Sequence, residues 1–339
     1  MRKILTAVLV LAFLSLPILA EEEPLLTIEK LTDGVFAFLP TEEAQAAWRA
    51  ISNSGAVVLD DGVLVFDSHW TPAHVEAARA LLKGHTDLPI RYAVLSHHHG
   101  DHSGGAWAYA GRAYAGGEVE IISHHANREL LENDLETTPE ELPAQIEQQH
   151  KMLESIEDPA QRERMLTAVR YSEELLARIA SDAVPPLATL TFEKSVVLHR
   201  GRPVEIHFLG RGHTRGDAIL FLPEEKIVFL GDLLFHRTLP NLNDGFSKEW
   251  IATLEKVLEL EPATVVPGHG AVTDADGIRH FIGYLKWLRS AVEPFAKDNA
   301  GAAAAVEGIE LPEKYAEFEF TMFFPGNVRK VYEEMVTGE

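Results

Sequence analysis

Two stretches of the chain carry the same order of predicted elements. Each consists of a β-hairpin whose last strand ends in an aspartate, then a helix, then a strand that runs into a loop of Gly and His. The aspartates are Asp67 and Asp232, and the loop histidines begin at His97 and His269. Because strand–helix–strand units build sheets covered by helices, this order predicts an α/β fold of two similar halves that bring their polar ends together.

Two further segments are predicted to be helical. Residues 138–186 form a predicted helical insertion, because apolar residues recur there at helical spacing within a charged stretch, and Pro159 marks the turn between two helices. The insertion packs on the core or on a second subunit, or forms a lid over the site; the sequence leaves these alternatives and the oligomeric state open. Residues 274–339 are predicted as a mainly helical C-terminal extension.

The N-terminal residues predict a secretory signal peptide. A short basic start at Arg2 precedes an almost wholly apolar run that ends at Leu19, and Ala20 stands before three glutamates. This order is typical of a signal peptide, here residues 1–20, that is removed by cleavage. An uncleaved membrane anchor is the alternative, but roughly 16 apolar residues are short for a bilayer span. We expect a periplasmic or secreted protein, residues 21–339, with no stable membrane insertion after cleavage.

Composition excludes several classes of protein. The chain has 339 residues with 52 acidic and 30 basic side chains, for a net charge of −22. Such a charge repels phosphate backbones, so we expect a small-molecule substrate and no nucleic-acid partner. The chain has no cysteine, which excludes disulfides, thiolate nucleophiles, cysteine-ligated zinc and iron–sulfur clusters. It has 16 histidines, and their positions decide which chemistry is available.

The most informative group of histidines follows a predicted buried strand. His97, His99, Asp101 and His102 form an H-x-H-x-D-H pattern there. Side chains alternate along a strand, so His97 and His99 point the same way and His98 points elsewhere. Imidazole and carboxylate groups are ligands of zinc and similar ions, and two ligands two residues apart can bind one ion. The pattern therefore predicts a metal site.

The chain resembles the metallo-β-lactamase-fold hydrolases, of which H-x-H-x-D-H is the most specific mark. The resemblance covers most of residues 25–290 and implies a four-layer αβ/βα sandwich of two similar halves. The other family motifs occur in family order, at Asp67, Gly212–Asp217, Gly231-Asp232 and Pro267–Gly270.

The resemblance also implies a ligand set for two metal ions. The side chains divide into three ligands of a first ion, three ligands of a second ion and one carboxylate that bridges the ions. These groups are His97, His99 and His213; Asp101, His102 and His269; and Asp232. Asp67 is expected to hold a ligand in place without binding metal itself. Zinc is the expected ion, although iron and manganese accept the same types of ligand.

The same resemblance assigns catalytic roles. Hydroxide bound by the metal ions is the expected nucleophile, because two ions lower the pKa of a shared water toward about 7. Asp101 and Asp232 are the expected catalytic residues: Asp101 orients the hydroxide and helps to pass a proton, and Asp232 holds both ions. Trp70 and His236 lie near these motifs in sequence and are possible residues of the substrate pocket.

We therefore expect a dinuclear zinc hydrolase that opens a small ester, thioester, lactone or lactam. The absence of cysteine excludes β-lactamases that use a cysteine ligand, and Asp232 resembles the bridging aspartate of glyoxalase II and N-acyl-homoserine lactonases. Three alternatives stay open: a β-lactamase as the main activity, an iron-dependent oxidoreductase on the same ligands, and a non-enzymatic periplasmic metal-binding protein. Many chemistries share one fold, so the family does not name the substrate.

Overall fold

Two mixed β-sheets carry the fold. The computed structural model describes residues 24–42, 44, 52–110, 118–180 and 186–338. The predicted signal peptide at residues 1–20 lies outside these ranges. Within them, no helix has both the length and the apolar character that crossing a bilayer requires.

The strands divide into a sheet of seven and a sheet of five. In spatial order, the first sheet contains β1 (Leu26–Thr32), β2 (Val35–Pro40), β3 (Ser54–Val58), β4 (Val63–Phe66), β5 (Ile90–Leu95), β6 (Glu120–His124) and β7 (Leu190–Phe192). The second contains β12 (Thr264–Val266), β11 (Ile227–Phe229), β10 (Ile219–Leu222), β9 (Pro203–His207) and β8 (Ser195–His199).

The helices lie between and after these strands. They are α1 (Pro72–Leu82), α2 (Gly100–Ser103), α3 (Trp107–Ala110), α4 (His125–Ser155), α5 (Pro159–Ala180), α6 (Ser247–Glu259), α7 (Ala275–Lys297), α8 (Ala302–Gly308), α9 (Glu313–Ala316) and α10 (Phe324–Thr337). Short 3₁₀ turns cover Gly104–Ala106, Gly231–Leu233 and Thr321–Phe323.

Alternating side chains place the sheets between two layers of helices. In β10, Ile219 and Phe221 pack with the helices, whereas Leu220 and Leu222 face the other sheet. The residues between the sheets are apolar on both sides. Phe66 and Phe229, with ring centroids 5.8 Å apart, are one such contact.

The outer layers complete the sandwich. Val75 and Ala78 of α1 pack on the outer face of the first sheet. Trp250 of α6, Leu285 of α7 and Val331 of α10 belong to the core on the outer face of the second sheet. The four-layer αβ/βα sandwich of two similar halves is therefore confirmed.

Parallel pairing brings the polar ends of key strands to one place. β4 pairs with β5 in parallel, and β11 pairs with β12 in parallel, so each pair ends at one edge of its sheet. The Asn53 side-chain amide joins the two edges, donating to the carbonyls of Pro267 at 2.9 Å and Gly270 at 2.8 Å. The loops that follow these strands build the site described below.

The inserted helices begin earlier than the predicted residue 138. α4 begins at His125, because the His124 side chain accepts a hydrogen bond from the Ala126 amide and caps the helix. Pro159 opens the second helix, α5, which packs against α4. Beyond residue 274 the chain is mainly helical, in α7 to α10.

Candidate metal centre

Three imidazoles converge on one point at the end of β5. Nε2 of His97 lies 3.1 Å from Nδ1 of His99, and Nε2 of His213 lies 2.9 Å from the same Nδ1 atom. His213 comes from the loop before β10, where the Thr214 hydroxyl donates to the buried Asp217 carboxylate at 2.6 Å. This carboxylate shapes the turn that aims His213 at the other two histidines.

A second group lies beside the first. Asp101 and His102 sit on the single turn of α2, and His269 follows β12. Oδ2 of Asp101 lies 3.3 Å from Nε2 of His269 and 3.5 Å from Nε2 of His102. One atom from each of the three side chains lies within 4.8 Å of the others, close enough to hold an ion.

The Asp232 carboxylate lies between the two groups. Its Oδ2 atom is 3.2 Å from Nε2 of His213 and 3.8 Å from Nε2 of His97. Its Oδ1 atom is 2.9 Å from Nε2 of His102 and 3.2 Å from Nε2 of His269. Each carboxylate oxygen therefore faces a different histidine group, as a bridging ligand must.

Glycine at position 268 makes room for this carboxylate. A Cβ atom on Gly268 would overlap Oδ1 of Asp232 and would lie 2.7 Å from the backbone carbonyl carbon of Gly231, closer than real Cβ atoms approach. The glycine before His269 is thus required by the close approach of the backbone to Asp232.

Asp67 contacts His102 from behind the site. Its Oδ2 atom is 2.7 Å from Nδ1 of His102, and its Oδ1 atom accepts the Ser96 amide at 2.7 Å. Asp67 has a left-handed backbone with φ of 64°, which non-glycine residues adopt at an energetic cost. Burial raises the pKa of Asp67, while His102 and Ser96 oppose that rise.

The donor set fits divalent metal ions. Imidazole nitrogens and carboxylate oxygens suit zinc and its neighbours. Among the described residues, Nε2 of His102 and Oδ1 of Asp232 are buried without a hydrogen-bond partner, although they lie 2.9 Å apart. Buried polar atoms are normally hydrogen-bonded, so two such atoms side by side fit the ligands of one ion. These residues could hold a metal.

The charges at the site agree with this fit. Burial lowers the pKa of His97 well below its ordinary value and that of His213 to about 3, so both imidazoles are neutral, the form that binds metal. Burial opposes ionisation of Asp232, but the neighbouring His102, His269 and His213 hold its pKa well below the ordinary range. Asp232 is therefore a carboxylate.

In the second group, the pKa values of His269 and Asp101 are shifted in opposite directions. Burial lowers the pKa of His269, but Asp232 and Asp101 outweigh it and raise the value to about 9. The pKa of Asp101 is lowered, because His102 and His269 outweigh the effect of burial. In the metal-free protein, the second group thus contains protonated histidine and ionised aspartate. A metal ion would displace the proton from the histidine nitrogen that binds it.

Asp244 is a site residue that sequence reasoning missed. Its Oδ2 atom lies 2.9 Å from Nε2 of His99, on the side of the ring away from His97 and His213. This hydrogen bond with His99 lowers the pKa of Asp244 to about 2. Asp244 stands in a loop with no recognisable motif, so the sequence held no signal for it.

A cavity of about 330 Å³ opens onto the two groups. Its lining residues are Trp70, His99, Gly100, Asp101, His213, Asp232, Phe235, Asn241, His269, Phe320 and Phe323. The predicted pocket residue Trp70 is among them. The other one, His236, is not, because its side chain turns to the Ala271 carbonyl, 2.8 Å from Nδ1. Phe320 and Phe323 also line the cavity, although no motif in the sequence predicts them.

Comparison with known proteins places this site in a family. A model of the metallo-beta-lactamase superfamily matches residues 47–269, which include Asp67 and all the candidate metal ligands but not Phe320 and Phe323. The chain is 24% identical over 259 residues to 2,4-dinitroanisole O-demethylase subunit alpha of Nocardioides sp. (strain JS1661), covering 74% of this chain and 59% of that protein.

Other relatives share shorter segments or the fold alone. The chain is 29% identical over 116 residues to metallo-beta-lactamase type 2 of Bacteroides fragilis, covering 32% of this chain and 47% of that protein. The matches thus span about half the length of these curated relatives. The solved structure of a metallo-beta-lactamase from Pontibacter korlensis superposes with a TM-score of 0.52 at 20% identity, over 77% of this chain and 99% of that chain.

The family model matches more than half of the chain and spans the motifs from His97 to His269. The expected family is therefore confirmed: the chain belongs to the metallo-beta-lactamase superfamily.

Proposed function

We propose that the protein is a hydrolase that binds two divalent metal ions, zinc in the first instance, and opens a small ester, thioester, lactone or lactam. The observation that carries this proposal is the Asp232 carboxylate. Its two oxygens lie 3.2 Å from His213 and 2.9 Å from His102, in two different histidine groups. Two ions held by one carboxylate are typical of hydrolytic centres.

The ligand sets follow from the contacts. His97, His99 and His213 would hold one ion, and Asp101, His102 and His269 the other, with Asp232 between them. When bound, such ions lower the pKa of water and polarise the bond to be broken.

Residues of the chain supply the remaining chemistry. Asp101 lines the cavity with its side chain 16% exposed, so its carboxylate can contact both water and substrate. In the proposed reaction, water adds to the carbonyl carbon, the bond from that carbon to the leaving atom breaks, and one proton of the water passes to the leaving atom. Asp101 is placed to carry that proton.

The test is a substrate panel on purified protein of known metal content. We expect turnover of at least one of a cephalosporin, an acyl-homoserine lactone, a glutathione thioester and a phenyl ester, lost on metal removal and restored by zinc. Stoichiometric iron with oxygen consumption would instead support the oxidoreductase. Metal binding without turnover of any substrate would support the alternative of a non-enzymatic metal-binding protein.

A second candidate function is cleavage of an aryl methyl ether. It is favoured by the similarity to the 2,4-dinitroanisole O-demethylase subunit, which covers 74% of this chain. The balanced reaction consumes water and releases methanol and a phenol. Release of 2,4-dinitrophenol from 2,4-dinitroanisole, without release of product from any ester or lactam, would favour this candidate over the first.

We also propose that the protein is exported. The support is the basic start, apolar run and Ala20 described above. Expression of the full chain in a Gram-negative host, followed by fractionation and intact mass, tests this. We expect protein in the periplasmic fraction with the mass of a chain that begins at Glu21. Full-length protein in the cytoplasm would contradict the proposal.

A further inference from the structure

The cavity over the candidate metal centre has a polar floor and an aromatic wall. The floor carries the metal-binding groups, and the wall consists of Trp70, Phe235, Phe320 and Phe323. A volume of about 330 Å³ is near the lower end of the roughly 300–1,000 Å³ typical of small-molecule pockets. The site therefore suits a small ligand with one apolar part.

Away from the metal-binding floor, none of the described residues that line this cavity has a cationic side chain. Its lining contains no Lys and no Arg, and Asn241 is its one neutral amide. A carboxylate, phosphate or sulfonate on the substrate, away from the reacting bond, would lose its water there without gaining a charged partner. The cavity therefore favours substrates that are uncharged outside the reacting group.

Half of the aromatic wall comes from the C-terminal extension. Phe320 and Phe323 lie beyond residue 269, where the match to the superfamily ends. This half of the wall thus lies outside the region matched to the superfamily, which contains the metal-binding motifs.

Backbone hydrogen bonds fix that part of the extension to the loop that follows β11. The Leu239 amide donates to the Glu319 carbonyl at 2.9 Å, and the Glu319 amide donates to the Arg237 carbonyl at 3.1 Å. Tyr315, just upstream, is 1% exposed and packs edge-on against Tyr284 of α7. The chain just before Phe320 is therefore fixed by backbone hydrogen bonds at Glu319 and by side-chain packing at Tyr315.

Phe320 adopts a conformation that serves the cavity. Its φ is 59°, in the left-handed region that a bulky side chain occupies only at an energetic cost. This backbone turns the half-buried ring toward the site, edge-on to His269 with centroids 5.9 Å apart. Phe323 follows within one turn, with centroids 6.0 Å from Phe320.

We infer that the substrate carries an uncharged aromatic group, which binds between Trp70 and the pair Phe320 and Phe323 while the reacting bond lies over the metal-binding floor. Aromatic rings in contact stabilise one another beyond simple burial, so a flat apolar ring gains most from this wall. The position of the reacting bond rests on the proposed hydrolase function. The binding of the aromatic ring does not depend on that function.

The kinetic test compares three acetate esters on metal-loaded full-length protein: phenyl acetate, 4-sulfophenyl acetate and 2,2,2-trifluoroethyl acetate. For the unmodified protein we expect kcat/KM to be at least about tenfold higher for phenyl than for sulfophenyl acetate, although the sulfophenolate leaves more readily. In Phe320→Ala and in Phe323→Ala, the ratio of kcat/KM for phenyl over trifluoroethyl acetate should fall about tenfold. Equal use of the phenyl and sulfophenyl esters, or an unchanged ratio in both variants, would overturn the inference.

Met322→Ala is the matched control. Met322 belongs to the same 3₁₀ turn, is 55% exposed and does not line the cavity. In Met322→Ala, the ratio of kcat/KM for phenyl over trifluoroethyl acetate should match that of the unmodified protein. A fall equal to that of Phe320→Ala would mean that the variants disturb the segment in general, which contradicts a specific role for the ring.

A binding measurement separates this inference from the proposed function. Calorimetric titration with 2-naphthol and with 6-hydroxynaphthalene-2-sulfonate needs no turnover. We expect 2-naphthol to bind more tightly than the sulfonate and to bind about tenfold more weakly to Phe320→Ala. This result without any ester hydrolysis would refute the hydrolase and keep the aromatic site; absence of 2-naphthol binding would refute the aromatic site.

Discussion

Nδ1 of His102 lies 2.7 Å from Oδ2 of Asp67, and neither side chain has any exposed surface. The Ser96 hydroxyl donates to the same oxygen at 2.8 Å and holds the carboxylate in place. Because Nδ1–H donates to Asp67, the neutral form of His102 has its lone pair on Nε2, the atom that lies 2.9 Å from Oδ1 of Asp232. Asp67 therefore selects the form of His102 that can bind a metal.

The first prediction concerns this pair. Asp67→Asn should weaken binding of the second metal equivalent by about 10–100-fold, the usual effect of removing a carboxylate behind a ligand histidine. Titration against a chelator of known affinity measures it. Asp61→Asn, at the exposed opposite end of β4, is the control and should bind both equivalents normally. Unchanged affinity in Asp67→Asn would contradict a positioning role.

The second prediction concerns the bridging carboxylate. Asp232→Ala removes the group between the two histidine sets, so we expect loss of one metal equivalent and a fall in activity of about two orders of magnitude or more. Metal analysis and kcat on the same preparation measure both effects. Full turnover with two bound metals would remove Asp232 from the centre.

The third prediction concerns Asp244. Asp244→Ala leaves Nε2 of His99 without its 2.9 Å partner, which should weaken the first metal equivalent by about tenfold. The effect is at the lower end of the range because the Asp244 side chain is 57% exposed and water replaces it in part. Asn243→Ala, next to it in the same loop, should leave metal affinity unchanged; an equal loss there would point to the loop and not to the carboxylate.

The fourth prediction concerns the histidine between two ligands. His98 contributes no atom to the groups around Asp232, so His98→Ala should leave metal content unchanged. Loss of one equivalent, measured by elemental analysis, would show that side chains along this segment alternate in the opposite phase.

The fifth prediction concerns metal removal. Ions that bind only the folded state at about 100 times their dissociation constant stabilise it by about 2.7 kcal/mol. For a chain of 339 residues, with an unfolding entropy of about 2.1 cal/mol/K per residue, that corresponds to a rise in Tm of about 4 °C for each ion. Calorimetry before and after chelation should show a fall of this order, reversed by zinc. An unchanged Tm with complete metal loss would mean that the ligand sites form equally well without ions.

The parts of the site that the sequence predicts are those with local signals. His97, His99 and His102 share one short motif at a strand end, and the repeated strand–helix–strand order places Asp67 and Asp232 at matching positions. Periodicity and short motifs depend on neighbours in the chain, so they are readable without a structure.

The remaining contacts depend on residues far apart in sequence. Asp244 meets His99 across 145 positions, from a loop whose path is set by the core beneath it. Phe320 reaches the cavity because residues 237 and 239 pair with Glu319 and because Tyr315 packs on α7. Neither contact has a local pattern, since tertiary packing alone decides where such loops lie.

The ligands on the two sheets are made at different times. His97, His99, Asp101 and His102 precede the inserted helices α4 and α5, whereas His213, Asp232 and His269 follow them. A nascent chain that ends before His213 therefore has neither complete candidate ligand set and lacks the Asp232 carboxylate between them. The second candidate set is complete only at His269, which follows the last sheet strand, so an ion held there would require that both sheets have been made and packed together.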